Sequence, residues 1–161
     1  MRSIFRYLFP LLLTPTVAFG DWQNTNWGMS MSQVASLTGA HLATPEEQAK
    51  WTISRTGEAP GLATDYISGR LPFKAVFYFD QARGLQKVTL HLNNYSQKPE
   101  LVESVIGKYG PPFDKNISSF GMTMHWIDKS NNLLIDMYDM AAIQSASVIY
   151  HPARDRSSSG L

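Results

Sequence analysis

The sequence predicts an α+β protein in which tandem helix-plus-antiparallel-meander units, in the order α-(α)-βββ-α-βββ, pack their helices on one face of a sheet. Apolar residues recur at helical spacing in two segments, and each segment is followed by runs in which apolar and polar residues alternate. Both helical segments contain the pattern V-x-S-[LV]-x-G, at residues 34–39 and 102–107. We therefore expect one domain over residues 21–152, built from two similar halves at about 27–95 and 96–152.

The composition is that of a globular chain. Of the 161 residues, 43% are hydrophobic and 17% are charged, which excludes disorder as the main state. Because 14 basic residues are balanced by 13 acidic ones, the net charge gives no reason to expect nucleic acid or an acidic membrane surface as a partner. The chain has no cysteine, so disulfides, a thiolate nucleophile, a thiolate metal site and a lipid-modified N-terminal Cys are excluded.

Residues 1–20 have the order of a secretory signal peptide. Two arginines precede an apolar run at residues 7–13, and the small-residue exit Ala18-Phe19-Gly20 follows. The apolar run is shorter than the roughly 20 residues that a membrane-spanning helix needs. An uncleaved N-terminal anchor is the alternative, although Pro10 and Pro15 would break its helix. We expect cleavage after Gly20, export to a bacterial periplasm, and a soluble mature chain that does not remain in the membrane.

The first two predicted helices are identified by their ends. Ser30 is a good N-cap, Gln33 completes a capping box three residues later, and Gly39 is a natural stop. The second helix starts at Thr44-Pro45-Glu46-Glu47, with Thr as the cap and the acids in the first turn, and runs to about Ile53. Both helices are short, so packing against the rest of the fold must hold them.

Strands follow the second helix, beginning with a candidate at Leu62–Ser68. Residues 73–80 and 87–92 alternate at period two across a turn and predict an antiparallel hairpin. The third helix, at Ser96–Tyr109, has the most regular apolar stripe of the chain and ends at Gly110-Pro111-Pro112. The remaining expectations are three strands and a flexible tail, at Gly121–Asp128, Asn132–Asp139, Ser145–Tyr150 and residues 153–161.

The alternation also determines which side chains share the sheet face opposite the helices. If the apolar residues of the strands face the helices, the other face carries a mainly polar set: Lys74, Tyr78, Lys87, Thr89, His91, Thr123, His125, Ile127, Asp136 and Tyr138. Tyrosine is enriched at recognition surfaces, so we predict that Tyr78, His91, His125, Asp136 and Tyr138 contact a protein partner. An ordinary solvated face of an antiparallel sheet is the alternative interpretation.

A metal site on the same face is a further alternative. His91, His125 and Asp136 are imidazole and carboxylate donors of the kind that bind metals. The three residues follow no spacing motif of a known metal site, and their strands need not be adjacent. The sequence therefore predicts neither a metal nor a cofactor.

Three tryptophans lie in or beside the first two predicted helices. Trp22, Trp27 and Trp51 are expected to pack in the core or to staple the helix ends. Docking of a partner is the alternative for Trp22, because it lies near the N-terminus that cleavage would create.

The opening of the mature chain resembles that of small exported helix-plus-meander domains. Gly28-Met29-Ser30 followed by Val34, Leu37 and Gly39 is similar to the G-M-[ST]-x-x-x-V-x-x-L-x-G pattern of that group, which includes the small lipoprotein of the outer-membrane β-barrel assembly machine. The duplicated arrangement resembles the β-lactamase inhibitor protein, and residues 108–112 resemble the K-Y-G-x-P helix ending of other exported proteins. The resemblance implies a non-catalytic, protein-binding scaffold. It does not carry over an acyl anchor or disulfides, since both need cysteine.

Catalytic motifs are missing from the sequence. It contains no G-x-S-x-G, S-x-x-K, H-E-x-x-H, GxGxxG or Gly-rich phosphate loop. We therefore expect an exported, non-catalytic protein-binding or envelope-assembly module. Two alternatives stay open: a periplasmic inhibitor or immunity-type protein that blocks a secreted enzyme, and a hydrolase whose site follows none of these motifs.

Overall fold

A computed structural model of the chain describes Trp22 and residues 24–153. The predicted signal peptide, and the predicted tail from residue 154 onward, lie outside the described residues. The α+β class is confirmed. The elements in chain order are α1 Met31–Thr38, β1 His41–Leu42, α2 Pro45–Trp51, β2 Leu62–Ser68, β3 Leu71–Asp80, β4 Gly84–Leu92, α3 Lys98–Tyr109, β5 Asp114–Ser118, β6 Gly121–Asp128, β7 Leu133–Met140 and β8 Ser145–Pro152.

The strands form one eight-stranded antiparallel sheet in the order β1-β2-β3-β4-β8-β7-β6-β5. Each half of the chain contributes a four-stranded meander, and the two meanders join where β4 pairs with β8. The sequence did not predict β1 or β5. β1 has only two residues, and β5 follows two prolines with the sequence DKNIS, whose five residues are all exposed and give no apolar alternation. Duplication of the two halves stays a prediction.

The helix ends follow from their capping residues. Ser30 and Gln33 form the expected capping box of α1, and Gly39 ends the helix at a φ of 70°. Thr44 and Glu47 form a second capping box at α2, with Pro45 in the first turn. Among the described residues, no helix combines the length and the apolarity needed to cross a bilayer.

The main core lies between the sheet and two of the helices. One sheet face, the inner face, buries large apolar side chains beneath Val34 of α1 and Leu101 and Val105 of α3. Trp22 closes this core through edge-on contacts with Tyr66 and Phe77, so its packing in the core is confirmed. The sheet side of the core comprises Phe73, Ala75, Phe77, Val88, Leu90, Met124, Trp126, Ile135, Met137 and Val148.

The expectation that every helix packs on one sheet face is wrong for α2, which lies on the opposite, outer face. The backbone carbonyl of Trp51 accepts a hydrogen bond from Tyr78 on that face at 2.8 Å, and the Trp51 ring stacks on His91. α2 buries none of its own residues, so it has no apolar stripe with which to join the main core. On this half of the sheet Ala63 and Val76 are fully buried outside the main core cluster.

Candidate functional site

The strand register assembles a polar and aromatic surface on the outer face. In one row across the sheet, His91 on β4 is opposite Ser147 on β8, which is opposite Tyr138 on β7. In the next row, Asp136 on β7 is opposite His125 on β6. All five residues predicted to bind a partner therefore lie on this face, as the period-two pattern requires. They fall into two groups, one beneath the α2 segment and one on the second meander.

Tyr78 and His91 form the first group, and the segment at residues 45–60, called the arm below, covers them. Tyr78 is only 3% exposed and its hydroxyl is engaged by the arm, so it supports the arm and does not present a free surface. The Trp51 ring stacks on the His91 imidazole at a centroid distance of 5.4 Å and an interplanar angle of 16°. This contact corrects the expected core position of Trp51, whose ring lies on the outer face.

Ion pairing also fastens the arm to the sheet. The Lys87 ammonium group forms an ion pair with the Glu58 carboxylate and lies 4.7 Å from the centre of the Tyr78 ring. Burial, together with the negative charge of Glu58, raises the pKa of Tyr78 to about 12, so its hydroxyl stays protonated and can donate to Trp51. A second ion pair joins Glu47 of the arm to Lys74 on β3 at 3.8 Å. The arm is thus held to the sheet by ion pairs at both of its ends, by the Tyr78 hydrogen bond and by the Trp51 ring stack.

His91 beneath the arm is electrically neutral at ordinary pH. Its burial, together with the positive charge of Lys50, lowers the pKa of its imidazole to about 4. Its Nε2 atom is buried and has no hydrogen-bond partner among the described residues. His91 is therefore a poor candidate for a general base at neutral pH.

The second group is a carboxylate shared by two histidines. Asp136 lies 2.7 Å from His125 Nδ1 and 2.8 Å from His151 Nε2, one histidine on each carboxylate oxygen. Burial acts to raise the pKa of Asp136, but the hydrogen bonds from His151 and His125 outweigh it and leave that pKa lowered. An ionised carboxylate can only accept hydrogen bonds, so His125 Nδ1 and His151 Nε2 each carry the proton of their hydrogen bond to Asp136.

His151 was not among the predicted site residues, because the last strand was expected to end at Tyr150. The period-two pattern of β8 contains it: Ser147 and Ile149 point to the outer face, and His151 is the next residue in that series. A strand that extends two residues further, to Pro152, brings His151 beside Asp136. Extending the alternation by one residue would have found it.

A groove of about 610 Å³ runs along the outer face between the arm and the second meander. Trp51 and Ile53 form the arm side, and Ile149 is on the strand that crosses the middle. Its further lining includes Tyr78, Lys87, Thr89, His91, Ser147, Asp136, Tyr138, Met140 and His151. A volume of this size, with mixed aromatic, aliphatic and polar walls, is typical of binding sites.

A smaller cleft of about 220 Å³ continues the groove toward the β5–β6 hairpin. Tyr138 and Met140 line both depressions, so the two are contiguous at β7. Phe120, which is 77% exposed, lies at the far end of the cleft. The combined depression crosses five strands from β4 to β5.

The candidate metal ligands are spread over strands that are not all neighbours on this face. Two intervening strands separate His91 on β4 from His125 on β6, so the three candidate metal ligands do not converge. Across the described residues, no three His, Asp or Glu side chains are grouped to hold a metal ion. Within Trp22 and residues 24–153, no Ser or Thr hydroxyl is hydrogen-bonded to a histidine, so no Ser–His or Thr–His pair is formed there.

Known proteins supply no function that can be assigned to this chain by similarity. No protein-family model and no curated protein matches the chain. A structural similarity was found to a DUF4309 family protein of Bacillus subtilis, known from a crystal structure at 2.13 Å resolution. The two are 12% identical, with 86% of each chain covered and a TM-score of 0.44.

Proposed function

We propose that the protein is an exported, non-catalytic binding module that holds an extended segment of another protein in the outer-face groove. The observation that carries this proposal is the contiguity of the groove and the cleft across five strands. With strands about 4.8 Å apart, the path is about 19 Å long and matches about six residues of extended chain. A compact small molecule would fill only part of such a path, whereas a peptide segment can follow all of it.

The side chains along the path suit recognition of a protein. Trp51 and Tyr138 present large aromatic surfaces at its two sides, and Ile53, Ile149 and Met140 add apolar area. Aromatic residues and methionine are enriched at protein interfaces, where a few of them contribute most of the binding energy. The Tyr138 ring makes an edge contact with His125, so the Asp136 cluster supports its orientation.

Export belongs to the same proposal. The charged, apolar and small-residue order of residues 1–20 supports secretion, and a bacterial periplasm is the compartment we propose. The V-x-S-[LV]-x-G match and the two joined meanders support an origin by duplication of a helix-plus-meander unit. An assembly role and an inhibitory role would use the same groove and differ only in the partner.

Site-directed cross-linking can test the groove. A photoreactive amino acid at Met140 or Ile149 should capture a partner in an envelope extract, and the same amino acid at Ile67, a more exposed residue on β2, should not. Tyr138→Ala should reduce capture at Met140 at least tenfold, because Tyr138 lines both the groove and the cleft. An envelope component as the captured protein would favour assembly, and a secreted enzyme that loses activity on binding would favour inhibition. Equal capture from all three positions, or capture insensitive to Tyr138→Ala, would exclude the groove.

A further inference from the structure

Within the described part of the chain, β5 is an edge strand of the sheet along its whole length. Its neighbour on one side is β6, and no other described strand pairs with it. All five of its residues are exposed. An edge strand presents a row of unpaired backbone N–H and C=O groups, which is a template for pairing with another strand. At the opposite edge, β1 offers only two residues.

Apolar side chains are exposed on and beside this edge. Ile117 within the strand is 71% exposed, and Phe113 and Phe120 on either side of it are 65% and 77% exposed. Large apolar residues clustered at a free strand edge are unfavourable in water and favour association. The Phe113 ring lies 6.3 Å from the His125 ring, centre to centre, so part of its surface is in contact with β6.

We propose that β5 pairs antiparallel with β5 of a second copy of this chain, about a two-fold axis that passes through Asn116 and runs perpendicular to the sheet. This goes beyond the proposed binding function and does not depend on it. In this register Asn116 lies opposite Asn116 of the second copy, and Asp114 lies opposite Ser118 of the second copy. On the other side of the strand, Lys115 lies opposite Ile117 of the second copy. The pairing uses all five residues of the strand.

One charged residue of β5 and the end of the strand together favour this register over its neighbours. A two-fold axis perpendicular to the sheet puts the outer faces of both copies on the same side, and opposed residues must share a face. The axis must therefore pass through a residue, and the neighbouring registers place it at Lys115 or at Ile117. An axis through Lys115 would place two lysines directly opposite each other, which is unfavourable. An axis through Ile117 would pair Asp114 with Phe120 of the second copy, in the hairpin turn that lies beyond the strand. Prolines at positions 111 and 112 stop the pairing from extending further.

The resulting assembly would be a continuous two-fold sheet with both outer faces on the same side. The grooves of the two copies would then face a partner together. Contact through two five-residue strands buries less than the roughly 1,200 Å² of an average stable interface. We therefore expect a weak dimer that forms at micromolar to millimolar concentration.

A designed disulfide tests the register, because the chain has no cysteine of its own. Opposed residues in an antiparallel pair have Cα atoms about 4.5–5.5 Å apart, which lies within the range that a disulfide bridges. Asn116→Cys should therefore give a covalent dimer on mild oxidation at high protein concentration. Ser118→Cys is the matched control, since it lies on the same face but about 13 Å from its equivalent in the proposed pairing. A dimer from Ser118→Cys and none from Asn116→Cys would overturn the proposal.

Sedimentation of the cysteine-free protein supplies a second test. The wild-type protein should dimerise across about 10–1,000 μM, and Ile117→Lys should weaken the dimer at least tenfold because it places a second lysine opposite Lys115. Ile67→Lys is the control, since Ile67 is 69% exposed on β2 and lies away from β5. Both substitutions are at exposed positions, and circular dichroism checks that each variant is folded. A wild-type monomer at the highest concentration, or equal weakening by both variants, would also overturn it. Tyr138→Ala should leave dimerisation unchanged, so that a failure of the groove proposal is measured separately.

Discussion

Replacing His91 with glutamine tests how burial changes the pKa of a histidine on the outer face. In the folded protein, burial beneath Trp51, together with the charge of Lys50, lowers the pKa of His91 from the usual 6.5 to about 4. In the unfolded chain the same imidazole regains its usual pKa. As the pH falls below 6.5, the unfolded chain therefore binds a proton that the folded protein rejects until about pH 4. This histidine lowers the stability of the fold as the solution becomes acidic.

The size of the effect follows from the two pKa values. A shift of one unit corresponds to about 1.4 kcal/mol, and the linkage relation converts the His91 shift into a loss of about 2.5 kcal/mol between pH 7 and pH 4.5. His91→Gln removes the titrating group, so that part of the pH dependence should disappear. Trp51→Ala should reduce it as well, because the ring that covers His91 is gone. Loss of the stacking contact lowers the absolute stability in both variants, which is why the difference between two pH values is the quantity to compare.

Urea unfolding at a series of pH values from 7 to 4.5 measures this difference, since the free energy of unfolding extrapolates linearly with denaturant. The wild type should lose about 2.5 kcal/mol more than His91→Gln over the range. An NMR titration of the His91 ring in the wild type should independently give a midpoint near 4. If His91→Gln keeps the full pH dependence, or if the ring of the wild type titrates at its usual value, the burial argument is wrong.

Three further predictions concern stability and are each measured by urea unfolding. Asp139→Asn should destabilise the fold by about 2 kcal/mol, because the buried Asp139 carboxylate accepts hydrogen bonds from Tyr95 at 2.7 Å and from Lys98 at 2.9 Å. A loss of stability below about 0.5 kcal/mol would contradict a net contribution from these bonds. Asp136→Asn should lower the free energy of unfolding by about 1 kcal/mol at pH 7. Because the pKa of Asp136 is lowered in the fold, the difference in stability from the wild type should shrink as the pH falls below the usual carboxyl value of 3.8. A difference in stability that is constant with pH would refute this prediction. Gly84→Ala should cost about 3 kcal/mol or more, whereas Gly69→Ala should cost about 1 kcal/mol. Both glycines have positive φ angles, 69° and 60°, but only at Gly84 would an added Cβ collide with the backbone of Gly28; equal losses at the two positions would show that the collision is relieved.

The parts of the fold that the sequence predicted are those governed by local chemistry. The capping boxes at Ser30 and Thr44 satisfy backbone groups within three residues, so a short window of sequence is enough to find them. The strands with period-two alternation bury one face in the main core, and that alternation also placed His125 and Asp136 together on the outer face. Each of these features is decided by residues that are neighbours in the chain.

The missed parts depend on contacts between residues far apart in the sequence. β5 pairs with the edge of β6, and within DKNIS only Ile117 is of a type that favours strands. α2 was placed on the wrong face because its short sequence has no apolar stripe, and its position is fixed by contacts with Tyr78 and His91, 27 and 40 residues away from Trp51. The local sequence therefore predicts neither the pairing of β5 with β6 nor the sheet face on which α2 lies.

The position of α2 on the outer face, which the sequence did not predict, also creates the candidate site. The arm covers the outer face of the first meander and buries Val76 and Tyr78 almost completely. In the second half, the described chain passes directly from α3 into β5, and no second helix lies between them. No equivalent of the arm therefore covers Tyr138 and Ile149, and both side chains remain partly exposed. A depression therefore forms where the covered half meets the open half, and its depth depends on the Lys87–Glu58 pair and the Trp51 stack that hold the arm in place. The candidate site arises from a difference between the two halves, whereas the sheet that carries it arises from their similar strand order.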